Sequence, residues 1–219
     1  MYKDIELFNR FKKGYEYALK GHKIIYKNWD DVRGIRKVLR GCVSGVSGVS
    51  GVRDGSGGTS VSGVIISGSN YFINNKEHSI IDESILRCRR SRLPILAICY
   101  GFQYMVCRLG CSSKNTFIKS NKAGYMKYNK SFSVSDSGGS TDASSIPFNI
   151  PKTKYFFYHR DYIVKVPKDF TVIKKSKDKI VMAYNSKKNI LGVQFHPEKY
   201  KKSARVFFNA WISGCVLRK

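Results

Sequence analysis

Three observations predict an α/β fold with a mostly parallel central sheet flanked by helices and a small antiparallel portion in its C-terminal half. From residue 63 to 110, apolar strand-like runs alternate with segments of helical apolar spacing, the pattern of a parallel sheet wound by helices. One run, Ile95, Leu96, Ala97 and Ile98, is apolar at every position, as a strand buried on both faces requires. In the C-terminal half, short strand-like runs follow one another with polar loops between them, which suits antiparallel pairing.

Residues 4–20 read as an amphipathic helix, because Ile5, Phe8, Phe11, Tyr15 and Leu19 recur three or four apart in one apolar stripe. Gly21 supplies its stop. Residues 22–26 read as a short strand, and residues 30–40 as a weak helix with Asp30 or Asp31 near its start. Residues 41–62 form a low-complexity insert. Val-Ser-Gly repeats in tandem from Val43 and returns at Val61, and the repeat is too short to be a structural unit. A phosphate-cradling loop would need Lys-Ser/Thr after the glycines, which this stretch lacks.

Residues 63–67 read as a buried strand, with Gly68, Ser69 and Asn70 as a tight loop at its C-terminal end, where ligands bind in open α/β sheets. Residues 79–92 read as a helix with Ile81, Ile85 and Leu86 on its apolar side. Pro94 opens the next strand, at a position that need not donate a hydrogen bond. Past Cys99, the residues Phe102, Met105, Val106 and Leu109 recur at helical spacing up to Gly110. Residues 131–145 read as a polar Ser/Gly-rich loop. Residues 156–158, 171–174, 180–184 and 190–195 read as strands, the last two flanking a hairpin loop at 185–189. Residues 203–212 read as a closing helix, and the whole chain, 1–219, as one domain.

The chain has 219 residues, enough to bury a core without disulfide staples. Its net charge of +25 raises a polyanion such as nucleic acid as a partner. That partner is not favoured, because the positive charges are scattered along the chain and the densest cluster, Arg87, Arg89, Arg90 and Arg92, is short. The cysteines at 42, 88, 99, 107, 111 and 215 are not needed as a disulfide framework in a chain of this length. No His or Cys pair completes a zinc set around Cys107 and Cys111, so neither a metal nor another cofactor is expected. No apolar run approaches a membrane span, and a reducing, cytoplasmic setting follows as the expectation.

Chemistry concentrates in two stretches. Cys99 lies on a sharp strand-to-helix turn followed by Tyr100 and Gly101, which exposes the side chain at the positive end of a helix dipole, where a thiolate is stabilised. A buried core cysteine is the plainer alternative for a lone thiol. Far downstream, a strand ends in His196-Pro197-Glu198. A thiol nucleophile needs a base, and imidazole titrates near neutrality; the base in turn needs a carboxylate to hold its tautomer. His196 and Glu198, two apart on an extended segment, would point the same way.

The combination of a Cys elbow in CYG at 99–101 with GVQFHPE at 192–198 resembles the class I (triad) glutamine amidotransferases, whose fold is flavodoxin-like. The resemblance covers residues 63–212. It implies Cys99 as the nucleophile that attacks the side-chain amide of glutamine, His196 as the proton relay and Glu198 as its orienting carboxylate. It implies an oxyanion hole from the backbone N–H of Tyr100 and one from the Gly68-Ser69 loop, and Gln103 as a residue that holds glutamine. CYG followed by Phe102 and Gln103 is similar to the form in the GMP synthase amidotransferase domain. So is His159-Arg160-Asp161 with the KVPKDFTVI that follows, although Arg160 stands where Gly is usual. There, His159 and Asp161 would face a partner, implied to be a separate synthetase of the ATP pyrophosphatase type, in the purine pathway.

Three departures fall in the N-terminal third. The opening apolar strand reads as missing or badly eroded, the loop reads Ser67-Gly68-Ser69-Asn70 where Ser-Gly-Gly-Pro is usual, and the low-complexity insert replaces an ordinary connection. A non-Gly residue at Ser69 would strain a crowded loop. The leading expectation is a glutaminase that supplies ammonia to a synthetase. The alternatives are a decayed amidotransferase-like binding protein, and a γ-glutamyl peptidase or hydrolase with the same triad, which the Ser-Gly-Ser loop resembles more closely.

Overall fold

The computed structural model describes residues 5–27, 31–43, 61–69, 73, 79–91, 93–110, 117–134 and 149–216. Of the low-complexity insert, residues 44–60 lie outside these, as do residues 135–145 of the polar loop. Helix α1 (Ile5–Ala18) ends before Gly21, whose φ of +94° is a left-handed conformation that glycine adopts without strain. Residues 22–27 form no strand, against expectation. Ile25 and Tyr26 are both 39% exposed there, and Ile24 alone packs against the core, so the stretch has no continuous buried face to pair on. Helix α2 (Val32–Val43) begins where expected, and Asp31 caps it by accepting the Gly34 N–H at 2.9 Å.

Strand β1 (Val64–Ile66), helix α3 (Ser79–Arg90), strand β2 (Ile95–Ile98) and helix α4 (Tyr100–Gly110) follow as the alternation predicts. Leu86 of α3 is 41% exposed and leaves the apolar side to Ile85, which is buried. The short strand β3 (Ile118–Ser120) leads to β4 (Met126–Val134) and β5 (Ile150–His159), which pair antiparallel as a separate two-stranded ribbon. Residues 131–134, expected in the polar loop, therefore extend β4. Their alternation sends Phe132 inward and Ser131 outward, and a register shift between Phe132 and Val134 lies opposite Pro151, which has no N–H to donate. Then come β6 (Asp161–Ile163), β7 (Thr171–Ser176), β8 (Lys179–Asn185), β9 (Ile190–Val193) and helix α5 (Lys201–Trp211).

The main sheet runs β1-β2-β9-β8-β6-β3, with β7 paired to β8. β1, β2 and β9 are mutually parallel; β8, β6, β3 and β7 continue antiparallel. This is the predicted α/β class with flanking helices, but the antiparallel portion is larger than expected: only β1, β2 and β9 are parallel, because the short C-terminal strands join the same sheet through β8. Alternation along the central strands separates two cores. Leu96, Ile98, Leu191 and Val193 face Ala204, Phe207 and Phe208 of α5 and Tyr15 of α1. Ile95, Ala97 and Ile190 face Phe102, Met105 and Val106 of α4. Two glycines permit the close packing around α4. A Cβ on Gly192 would lie 1.9 Å from the Phe102 ring, and one on Gly101 would lie 2.4 Å from the Ile66 carbonyl oxygen.

Candidate active site

Register brings the candidate residues together. β1, β2 and β9 end at the same edge, because Ile66 lies beside Ala97 and Ile98 beside Val193. The chain leaves this edge as the Gly68-Ser69 loop, as Cys99 and as Gln194 to His196. Cys99 is held by its N–H, which donates to the Val193 carbonyl at 2.7 Å, and by its own carbonyl, which accepts the Gln103 N–H at 3.0 Å as α4 begins. Its φ of 51° is unusual for a residue with a side chain and marks the sharp elbow expected there.

The thiol is enclosed. Cys99 is buried, its Sγ donates to the Tyr158 carbonyl at 3.6 Å, and the Gln194 side-chain amide donates to Sγ at 3.6 Å. The His196 imidazole lies beside the Cys99 side chain, both against Gly68, and His196 Nδ1–H donates to Glu198 Oε1 at 2.8 Å. Burial by itself would lower the His196 pKa. The charges of Cys99 and Glu198 and the hydrogen bond to Glu198 outweigh it and push the imidazole up to about 10. Glu198 does not reach His196 along an extended segment. It sits on one turn of tight helix, Pro197–Lys199, that folds the carboxylate back beneath the ring.

The ribbon closes one side. The His196 N–H donates to the Phe156 carbonyl at 2.7 Å, tying β5 to the end of β9. Gly68 closes another: a Cβ there would lie 2.9 Å from His196 Cε1 and 3.4 Å from Cys99 Cβ. Ser69 does not join Cys99, Lys177 and Asn189, the non-glycine residues with positive φ among those described, so the Ser-Gly-Ser loop carries no left-handed strain at Ser69. Tyr100 is buried and opens α4, with its ring against Tyr104.

Gln103 is buried one turn along α4. Its Nε2 donates to the Asp161 carbonyl at 2.6 Å and to Gln194 Oε1 at 3.1 Å, so its amide ties α4 to β6 and to the end of β9. His159 is also buried; its Nδ1–H donates to the Asp161 carbonyl at 2.9 Å, and desolvation pulls its pKa down to about 4. The Asp161 carboxylate accepts from Ser120 Oγ at 2.6 Å. Gln194 and the Tyr158 carbonyl were not singled out in the sequence. Gln194 was findable, because it lies two before His196 on a strand and so shares its face. The carbonyl was not, since its place depends on how the ribbon folds over. Among the described residues no group of His, Cys, Asp and Glu side chains is arranged to hold a metal ion, and no helix is long and apolar enough to cross a membrane.

A strand-to-helix thiol beside an imidazole that is hydrogen-bonded to a buried carboxylate, at the carboxyl edge of parallel strands, is the arrangement that cysteine nucleophiles require. The family model for glutamine amidotransferase class-I matches residues 55–213, and the chain belongs to that family. Among its curated relatives, a GMP synthase (glutamine-hydrolyzing) of Petrotoga mobilis is 32% identical over 142 residues, which are 64% of this chain and 25% of the relative. A GMP synthase of Plasmodium falciparum is 24% identical over 188 residues, 73% of this chain and 33% of that one. The chain thus spans between a quarter and a third of the length of these relatives. The glutaminase domain of Trypanosoma brucei CTPS with bound acivicin superposes with a TM-score of 0.55 at 13% identity, covering 98% of this chain and 92% of that one; the likeness is one of fold.

Proposed function

We propose that this chain is a glutaminase of the GMP synthase type, hydrolysing glutamine through Cys99, His196 and Glu198 and delivering ammonia to a synthetase. Cys99 Sγ attacks the side-chain amide carbon of glutamine, and His196 gives its proton to the leaving nitrogen, so ammonia departs and a glutamyl thioester remains. Water, deprotonated by His196, then attacks the thioester; glutamate leaves and the proton returns to the Cys99–His196 pair. Glu198 holds the tautomer throughout. The Tyr100 N–H and one from the Gly68-Ser69 loop stabilise the oxyanion, each worth a few kcal/mol where charge develops. Gln103 acts on the substrate through Gln194 and the 159–161 segment, and buried His159 and Asp161 set the shape of that segment, which meets the partner. The ammonia is used by an ATP pyrophosphatase-type synthetase in the cytoplasm.

The observation that carries this reading is that Cys99 and His196 meet at Gly68 while His196 is hydrogen-bonded to Glu198, inside a chain of the amidotransferase family. The test is glutamate and ammonia release from glutamine, together with trapping by a glutamine-like chloroketone and mass spectrometry of the adduct. The expected result is a single adduct on Cys99 and turnover that vanishes in Cys99→Ala; an adduct elsewhere, or equal turnover in Cys99→Ala, refutes it. The Ser67-Gly68-Ser69 loop favours a second reading, a γ-glutamyl peptidase or hydrolase on the same three residues. A higher kcat/KM for γ-glutamyl peptides than for glutamine would select it.

A further inference from the structure

We propose that Gly14 of α1 is a positioning residue for the candidate catalytic site: its missing Cβ lets the helix seat directly on the backbone of Glu198 and fix the carboxylate under His196. The inference rests on the roles proposed above for Cys99, His196 and Glu198. A Cβ built on Gly14 would stand 1.9 Å from the Glu198 carbonyl oxygen, 2.8 Å from its carbonyl carbon and 3.1 Å from its Cβ. The nearest obstacle is backbone, which cannot swing aside as the end of a long side chain can. Any residue but glycine would therefore push the turn Pro197–Lys199 away from the helix or the helix away from the turn.

Three further observations make this a seat. Glycine inside a helix is a poor choice on propensity, so its place in the interior of α1 is accounted for by the close approach. The helix is anchored independently of the turn: Tyr15, the next residue, is buried and meets the Phe208 ring of α5 edge-on at 5.7 Å, and Ala18, one turn on, is also buried. The turn is also tied by the Lys199 N–H to the His196 carbonyl at 3.3 Å, by Ser203 Oγ to the Pro197 carbonyl at 3.2 Å and by Lys199 Nζ over the Phe156 ring at 5.3 Å, none of which touches the Glu198 carboxylate. Glu198 is 2% exposed, and its Oε2 has no hydrogen-bond partner among the described residues, so Oε1 alone bonds the imidazole. A carboxylate held by one hydrogen bond keeps its place only if its backbone does.

The experiment is a double-mutant cycle in the full chain. Gly14→Ala should lower kcat for glutamine at least tenfold with KM within twofold. In a Glu198→Gln background the same change should alter kcat less than twofold, because the carboxylate it positions is gone. Equal losses in both backgrounds would overturn the proposal, as would full activity with a raised Tm, the outcome when a glycine in an open helix is replaced by alanine. If Gly14→Ala does not fold, Tyr15→Leu loosens the same helix without adding atoms. A smaller loss of kcat that again disappears with Glu198→Gln supports the seat; an unchanged kcat overturns it. Should the wild type fail to hydrolyse glutamine, the functional reading falls separately, and NMR titration of His196 in wild type and Gly14→Ala decides the positioning claim. A lower midpoint in the variant sustains it and an unmoved one refutes it.

Discussion

Two buried histidines sit close to the candidate site and are pushed in opposite directions. His159 is dehydrated, with His196 and Lys179 pushing the same way and outweighing Asp161, and its pKa falls from the ordinary value to about 4. His196 faces Cys99 and Glu198 and rises to about 10. Their consequences for stability have opposite signs. Between about pH 6.5 and 4 the unfolded chain binds a proton at His159 that the folded chain refuses, so stability falls as pH drops through that window, by on the order of 3 kcal/mol. His196 contributes stability that is fully present below about pH 6.5 and is lost as pH rises through about 10. Urea unfolding at pH 7, 5.5 and 4.5 should therefore show an acid loss that His159→Gln largely abolishes. Retention of the whole acid limb in His159→Gln would mean that another group causes it. The alkaline limb should be shallower in Glu198→Gln, because one of the groups that raise the imidazole is removed. At this scale Cys99, His196 and Glu198 were legible, since thiol, imidazole and carboxylate each have few reasons to stand at those turns. Gln103 stood out as a candidate, but its bonding was not legible, because its partners, Asp161 and Gln194, come from segments far apart in the chain.

Among the elements, the parallel strands were read well and the ribbon poorly, for one physical reason. A strand buried on both faces, such as Ile95–Ile98, must be apolar at every position and announces itself. The β4 strand has one buried face. Tyr128 and Phe132 point toward the core while Lys127, Asn129 and Ser131 point out, and a Ser-rich outer face followed by more Ser and Gly reads as loop. Its partner β5 begins at Ile150, across a stretch with no strand signal of its own. Glycine roles were illegible in the same way, since what a missing Cβ admits is known only when the neighbour is in place. Gly192 of β9 admits Phe102 of α4, and the two elements approach through that contact. Gly192→Ala should cost about 1–3 kcal/mol, the usual penalty for overfilling a packed core, read as a lowered urea midpoint at unchanged slope. Adding Phe102→Leu should recover part of that loss although the single Phe102→Leu is itself destabilising. A strictly additive double variant would show that the two side chains do not meet.

Across the whole molecule the charge was legible in composition, but its arrangement needed the fold. The ribbon shows what alternation does with a basic sequence: Lys127, Lys152 and Lys154 lie on its exposed side, together with Asn129 and Ser131, and none of its outward residues is acidic. Of the acidic residues in the described part of the C-terminal half, Asp161 and Glu198 are buried and are absorbed by hydrogen bonds in the site. Much of the net charge of +25 is therefore uncompensated at the surface. Like charges so distributed repel one another in the folded state and attract any polyanion without regard to sequence. Salt screens that repulsion over a Debye length of about 8 Å at physiological ionic strength. Two outcomes follow together. The chain should gain thermal stability between about 0.05 and 0.3 M sodium chloride, where a protein of balanced charge would change little. It should also bind a heparin column and elute over that same range, with no preference among DNA sequences in competition. Lys127→Glu, Lys152→Glu and Lys154→Glu combined should elute earlier and narrow the salt dependence of Tm, while glutamine turnover stays within twofold of wild type, since none of the three touches Cys99, His196 or Glu198. Sequence-selective retention that survives 0.3 M salt would instead mark a built nucleic-acid site, and would make the basic surface a recognition element of its own.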